Sequence, residues 1–297
     1  MQVIYSHEHN NPVSPQEGVK ILQRNIDKAY RLLYFNFALL VRVADQVKKE
    51  SEIKASKFLP TEEDLRFSDK LASSPLVQAL KRMRKVQEQL KLQLSEEETV
   101  MVKELLKKLA EQSEYKLYCL RESETEDERA ILLLLHRLAA KNAAYLQFAE
   151  DNFPECMNEL SKIHFAVEEV LKKLAPESTD SVFEFSNQKT EEDFAKELLI
   201  KTLENNARFT ALIQPKLKNW DIDRIARLDM ILMKMALCEL LYFDQIPVKV
   251  SINEYIDVSK SFSTPKSKDF VNGILDSIMH DLRERNEIKK TGRGLVE

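Results

Sequence analysis

Histidine and cysteine are the side chains that most often bind transition metals, so their spacing decides whether this chain can hold a metal centre. His7 and His9 form a His-x-His pair near the start, but no third ligand follows at a recognisable spacing. The other candidates lie far apart: His136, His164, His280, Cys119, Cys156 and Cys238. None of them has a neighbour at the short spacing of a zinc site. The sequence therefore predicts no metal centre, and it predicts that the cysteines are reduced, buried thiols.

Phosphate or dinucleotide chemistry would require a Gly-rich loop, because glycine lets the backbone approach a phosphate closely. The chain has only four glycines, and two of them lie in its last six residues. No Glu-x-x-His pair suggests a di-metal carboxylate bundle. Carboxylates are plentiful, but they occur on amphipathic helices, where they usually form solvated faces. We therefore predict a protein with no catalytic residues and no cofactor.

The composition indicates the fold that must position any binding residues. The 297 residues are 43% hydrophobic and 32% charged, which is enough apolar material for a core. Few glycines and nine prolines between long apolar-and-charged stretches favour helices joined by short loops, so we predict an all-α fold. The net charge of −4 limits any nucleic-acid surface to a local patch. No apolar run reaches the roughly 20 residues of a membrane span, and no signal peptide is visible, so we expect a cytoplasmic protein with no membrane partner.

Helix start signals recur along the chain. Ser14 precedes a proline and a glutamate three residues on, which predicts a long helix to about residue 49. Capping boxes are predicted at 95–98 and 125–128, and a looser one at 190–193. These signals indicate about eight to ten helices and no confident strand.

The last third of the chain carries three further helix patterns. An apolar face predicts a helix over 221–243, and a capping box at 251–254 predicts that the next helix starts at Ser251. The last helix is predicted to begin near Ser267. Its apolar residues form one continuous stripe: Phe270, Val271, Ile274, Leu275, Ile278, Met279 and Leu282. Gly273 lies inside that stripe, and we expect another backbone to pass close beside it.

Three short blocks in this region keep a fixed order and spacing. They are Ile-Pro-Val-Lys-Val-Ser-Ile-Asn-Glu at 246–254, Ser-Lys-Ser-Phe at 259–262 and Phe-Val-Asn-Gly-Ile-Leu-Asp at 270–276. Together they resemble the signature of the NusB family. The upstream segment 227–241 is similar to the preceding helix of that family, and the similarity extends more weakly over 190–217. Residues 1–5 resemble the end of the family's first helix.

The resemblance implies two small helical bundles of the NusB type with an additional helical insertion. We assign the first part of the core to residues 1–49 and the second part to 190–285. The insertion, at 50–189, is rich in Lys, Glu and Leu, and the family's usual short form lacks it. A basic tail follows at 286–297.

The resemblance also implies a function. It implies an RNA-binding transcription antitermination factor that binds the boxA element of nascent ribosomal RNA together with ribosomal protein NusE. The pair would load onto the RNA polymerase antitermination complex and promote processive transcription of ribosomal RNA. A second hypothesis is a helical protein–protein adaptor that kept the fold and lost RNA binding. A third, a domain that accompanies an RNA methyltransferase, is disfavoured because no methyl-donor glycine motif follows.

On the RNA side, the resemblance implies Phe270, and Lys266 and Lys268 lie next to it. The lysines are placed to contact phosphates, and an aromatic ring can stack on an unpaired base. Phe270 also continues the apolar stripe, so a core position is the alternative. Lys266 stands where other members often carry an acid, and Asp269 stands where a lysine is common, so the local charge is rearranged.

On the partner side, the resemblance places Tyr5 and Asp229 at positions that face NusE. The alternatives are a core tyrosine and a solvated helix acid. NusB proteins also begin with an arginine-rich arm that grips RNA phosphates. This chain starts after that point, and we expect the arm to lie upstream of Met1; otherwise the protein binds RNA differently.

Other basic clusters follow from charge alone, and each is typical either of an RNA contact or of a solvated helix end. One lies at 81–85 in the insertion, one is formed by Lys216 and Lys218 near Trp220, and one runs from Arg283 to Arg293 at the end of the chain.

Overall fold

The structure is a computed structural model. It describes residues 1–9, 14–59, 61, 68–122, 124–184, 188–217, 226–264 and 266–295. Within those ranges the regular secondary structure is helical and no strand occurs, which confirms the predicted all-α class. The chain divides into two compact units. Unit 1 contains residues 1–24 and 187–297, and unit 2 contains residues 25–186.

Helix α1 is Gln2–His9, and α2 is Pro15–Ala55, which starts in unit 1 and ends in unit 2. The predicted cap of α2 is confirmed, because the backbone N–H of Glu17 donates to the Ser14 hydroxyl at 3.2 Å. The helix runs about two turns beyond the predicted end. No proline or glycine interrupts its pattern there, so nothing in the backbone chemistry stops it.

Unit 2 is built around the middle of α2, where residues 37–44 are almost completely buried. Leu105 and Leu132 belong to the same apolar cluster. Burial of each such side chain contributes about 1.5–3 kcal/mol. The helices that supply the cluster are α3 Lys70–Ser73, α4 Pro75–Arg82, α5 Arg84–Leu90, α6 Glu96–Glu111, α7 Ser113–Leu120, α8 Thr125–Ala140, α9 Ala143–Asn152 and α10 Leu160–Lys173.

The capping boxes of unit 2 are partly as predicted. Ser95 and Glu98 form the expected reciprocal pair, with the Glu98 N–H donating to Ser95 at 3.1 Å and the Ser95 N–H donating to Glu98 at 2.8 Å. The box predicted at 125–128 is wrong, since Glu124 and Asp127 cap α8 instead. The physical reason is that the Glu128 carboxylate is buried and accepts a 2.7 Å bond from Ser74.

Unit 1 has a second core that includes Phe209, Leu237 and Leu275. Its helices besides α1 are α11 Gln188–Glu204, α12 Asn206–Ile213, α13 Arg227–Tyr242, α14 Val248–Phe262 and α15 Ser267–Glu284. The predicted stripe of α15 is buried, with Met279 partly buried, and the predicted start at Ser267 is confirmed. Residues 221–225, predicted to open the helix that became α13, lie outside the described residues.

Two other expectations about unit 1 are wrong. Helix α14 begins at Val248, one turn before Ser251, and the Ser251 hydroxyl donates to the buried Glu239 carboxylate at 2.6 Å instead of capping. Gly273 is exposed, and a Cβ added there would meet no atom within 4 Å. Among the described residues, no backbone of another segment therefore packs beside Gly273.

Candidate functional site

The first turns of α13 and α15 are joined by a buried hydrogen bond in unit 1. The hydroxyl of Ser267, the first residue of α15, lies 2.7 Å from Oδ2 of Asp229 in the first turn of α13. Both side chains are almost fully buried, at 2% and 3% exposure. The family resemblance implies that Asp229 faces a protein partner and that the start of α15 faces RNA. This bond connects those two positions.

The direction of this bond follows from chemistry. An ionised carboxylate only accepts hydrogen bonds, so Ser267 must donate its single hydroxyl proton to Asp229. The Ser267 oxygen then accepts from its own loop. Its two lone pairs are shared among three nearby groups: the Thr264 N–H at 3.2 Å, the Thr264 hydroxyl at 2.8 Å and the Ser263 hydroxyl at 2.9 Å. Ser267 thus holds the loop that leads into α15 against α13.

Lys266 and Lys268 flank Ser267 and are both exposed. They lie at the amino end of α15, where unpaired backbone N–H groups add partial positive charge. Asp269, also exposed, offsets part of that charge. The helix start therefore presents two exposed ammonium groups to solvent, on a backbone that the bond between Ser267 and Asp229 holds in place. This arrangement suits contact with phosphates.

Phe270 is 7% exposed and packs in the core of unit 1. In this conformation its ring takes the core position that the apolar stripe allowed, and it supports the turn that carries the two lysines. Little of its surface is available for a base to stack on.

Tyr5 lies on α1 and is 38% exposed, whereas its neighbours Val3 and Ile4 are buried in a small cluster with Ile231 of α13. An ion pair between Lys234 and Glu8, 2.5 Å long, also links α13 to α1. The Tyr5 ring is thus presented on a helix that is packed against α13.

Asp229 is not a solvated helix acid, because its side chain is only 3% exposed. Its Oδ1 is buried and has no hydrogen-bond partner among the described residues.

The signature block 246–254 contains a buried polar cluster that sequence reasoning missed. The Glu239 carboxylate accepts from Ser251 at 2.6 Å and from the Tyr255 hydroxyl at 3.1 Å. Burial and the neighbouring Glu239 carboxylate raise the pKa of Tyr255. The spacing of Ser251 and Tyr255, one turn apart, was visible in the sequence, but their shared acceptor on α13 was not.

The other predicted basic clusters have varied surroundings. Lys81 forms an ion pair with Asp45, and Arg84 and Lys85 lie within 4 Å of Glu88. Lys216 pairs with Asp281 at 2.6 Å, and Lys218 and Trp220 lie outside the described residues.

Where the structure is described, it contains no group of three or more His, Cys, Asp and Glu side chains placed to hold a metal ion. Nor is any described helix long and apolar enough to cross a bilayer.

The fold and the site define an all-α protein whose candidate binding surface is a lysine-bearing helix start braced by a buried hydroxyl–carboxylate bond. A family model described as the NusB family matches residues 155–280. The chain belongs to the NusB family.

Three relatives named transcription antitermination protein NusB support this assignment. The Listeria monocytogenes protein is 35% identical over 101 residues, which cover 34% of this chain and 79% of the relative. The Salinibacter ruber protein is 44% identical over 104 residues, 35% of this chain and 65% of the relative. The Chloroherpeton thalassium protein is 37% identical over 131 residues, 44% of this chain and 59% of the relative. The match thus spans less than two thirds of the latter two relatives. No solved structure matches the chain.

Proposed function

We propose that the protein is an RNA-binding transcription antitermination factor. In this proposal it binds a boxA-like element of nascent ribosomal RNA together with ribosomal protein NusE, within the antitermination complex of RNA polymerase. The relatives' printed name supports the antitermination role. The bond between Ser267 and Asp229 is the observation that carries the proposal, because it ties the lysine-bearing turn to the partner-side carboxylate.

Each site residue has a distinct part in this proposal. Lys266 and Lys268 contact RNA phosphates, and Phe270 fixes the turn that carries them. Tyr5, which is exposed, contacts NusE directly, and Asp229, which is buried, supports that partner face through its bond to Ser267. Because Ser267 couples Asp229 to the lysine-bearing loop, binding of NusE would order the RNA contacts, so the two ligands would bind cooperatively.

The test is a titration of fluorescent boxA RNA, with and without NusE, across a salt series. We expect tighter binding with NusE and a steep salt dependence. Each phosphate contact on a single strand contributes about 0.7 to the slope of log K against log salt. Lys266→Gln with Lys268→Gln should therefore make the slope shallower by about 1.4. Lys103→Gln with Lys107→Gln, two exposed lysines of α6 in unit 2, is the matched control.

Partner binding is measured separately with Asp229→Asn and Tyr5→Ala. Both variants should weaken NusE binding and leave the intrinsic RNA salt slope unchanged. If NusE binds normally but boxA RNA fails to bind at any salt concentration, the protein is the helical adaptor and the RNA-binding proposal is wrong.

A further inference from the structure

A cleft of about 460 Å³ lies in unit 1, between the start of α14, the end of α15 and the tail that follows α15. Four cationic side chains line it: Lys249, Arg283, Lys289 and Lys290. Apolar Ile288 and Leu295 complete its walls, and no carboxylate side chain among the described residues lines it. A concave surface of one charge sign concentrates counter-ions of the opposite sign.

The tail is held in a defined conformation, so the cleft is a built feature of the fold. The Lys290 ammonium donates to the carbonyl of Phe243 at 2.8 Å and to that of Glu239 at 3.3 Å, which ties the tail to the end of α13. The Thr291 N–H donates to the Asp244 carbonyl at 3.0 Å. A Cβ at Gly294 would lie 1.9 Å from that same carbonyl oxygen, so only glycine fits there.

The two carboxylates that act on Lys290, those of Glu239 and Asp244, already accept other hydrogen bonds, Glu239 from Ser251 at 2.6 Å and Asp244 from the Thr291 hydroxyl at 2.7 Å. Two acids of α15 and the tail form ion pairs with other residues. Glu287 pairs with Arg208 at 2.8 Å, and Asp281 pairs with Lys216 at 2.6 Å. By contrast, none of the described residues forms an ion pair with Lys249, Arg283 or Lys289. Cations that share a cleft repel one another, and an anion bound between them removes that repulsion.

We propose that this cleft binds the phosphodiester backbone of RNA, as a second contact for nucleotides flanking the element bound at the start of α15. The inference rests on the proposed function. Three exposed cations from separate chain segments suit successive phosphates, and the apolar wall formed by Ile288 and Leu295 suits the face of a ribose or base. The described residues that line the cleft include no aromatic ring and no side-chain amide, so the cleft selects for charge and not for sequence.

The length of α15 sets the spacing of the two contacts. Fifteen residues separate Lys268 from Arg283, which is about 22 Å along a helix. A stacked single strand advances about 3.4 Å per nucleotide, so about seven nucleotides span that distance. An RNA whose bound nucleotides end at the start of α15 would therefore fail to reach the cleft, whereas eight further nucleotides would reach it.

The experiment compares three RNAs on the full-length protein with NusE: a minimal boxA RNA, and the same RNA lengthened by eight uridines at the 5′ or at the 3′ end. We expect one extension to tighten binding roughly tenfold at 0.1 M salt. Lys249→Glu with Lys289→Glu should abolish that gain and leave binding of the minimal RNA unchanged. Lys103→Glu with Lys107→Glu makes the same charge change in unit 2 and should keep the gain.

The outcomes separate the two proposals. If all three RNAs bind equally, or if the Lys249 and Lys289 variant weakens all three equally, the cleft inference is wrong while the proposed function stands. If none of the RNAs binds, the proposed function fails and the cleft inference fails with it. If the variant instead loses binding to anionic phospholipid vesicles with no change toward RNA, the cleft has a different occupant and the inference is overturned.

Discussion

The Ser267 hydroxyl donates a 2.7 Å hydrogen bond to the carboxylate of Asp229, and both groups are buried. Ser267→Ala removes the one hydrogen bond that the described residues provide to this carboxylate. A buried charged acceptor left without a partner costs about 1–3 kcal/mol. We expect Ser267→Ala to lower the free energy of unfolding by that amount, measured by urea denaturation. Ser261→Ala is the control, because Ser261 is exposed and its bond to the Asp257 carbonyl is 3.3 Å long. Equal losses in both variants would contradict the structural role of Ser267.

Lys234 and Glu8 form an ion pair, and removing Glu8 should lower the stability of the protein more than removing Lys234. The Lys234 side chain is 7% exposed and the Glu8 side chain 22% exposed. Glu8→Ala leaves a nearly buried ammonium without its partner, so we expect a loss of about 1–3 kcal/mol. Lys234→Met keeps the packing volume and leaves Glu8 closer to water, so its loss should be smaller. Thermal unfolding of the two variants measures the difference, and a larger loss in Lys234→Met would disprove this account of the pair.

Glycine positions 273 and 294 should respond in opposite ways to alanine. A Cβ at Gly273 meets nothing within 4 Å, so Gly273→Ala should stabilise α15 by about 1 kcal/mol through helix propensity. A Cβ at Gly294 would collide with the Asp244 carbonyl, so Gly294→Ala should displace the tail at a cost of about 1–3 kcal/mol. Denaturant melts of both variants provide the test. Destabilisation by Gly273→Ala would show that the space beside this glycine is occupied in the folded protein.

His136 makes the stability of unit 2 depend on pH. Burial, together with the nearby His164 ring, lowers the pKa of His136 to about 4, from an ordinary value of 6.5. Glu168 opposes this shift and Arg137 adds to it. Between these two values the unfolded chain binds more protons than the folded chain, so stability is lost as the pH falls from 6.5 towards 4. Lowering the pH from 7.5 to 5 should remove about 2 kcal/mol.

The variant His136→Phe keeps an aromatic ring and removes the titrating group. Its unfolding free energy should fall less than that of the natural protein over the same pH range, by about 2 kcal/mol. Burial also lowers the pKa of His164, so part of the pH dependence should persist in the variant. Identical pH profiles for the two proteins would show that His136 is protonated equally in the folded and unfolded states.

The sequence by itself determined the helical class, the start of α15, the cap of α2 at Ser14 and the family signature. These depend on local chemistry: an apolar stripe at helical spacing, a capping hydroxyl and a scarcity of glycine. The same reasoning placed Lys266 and Lys268 on a helix start. Local sequence patterns were therefore enough to predict the fold class and the position of the two lysines of the candidate site.

Only the tertiary structure decided which polar groups meet. The sequence predicts Ser251 as a helix cap, but its hydroxyl donates to the carboxylate of Glu239, twelve residues earlier. The sequence predicts Glu128 as part of a capping box, but its carboxylate accepts a hydrogen bond from Ser74, 54 positions away. The sequence allows Asp229 to be a surface acid, but its carboxylate is buried and accepts a hydrogen bond from Ser267. In each case a buried charge must find a partner, and a distant partner in the core outweighs a local cap because leaving the buried group unpaired costs more.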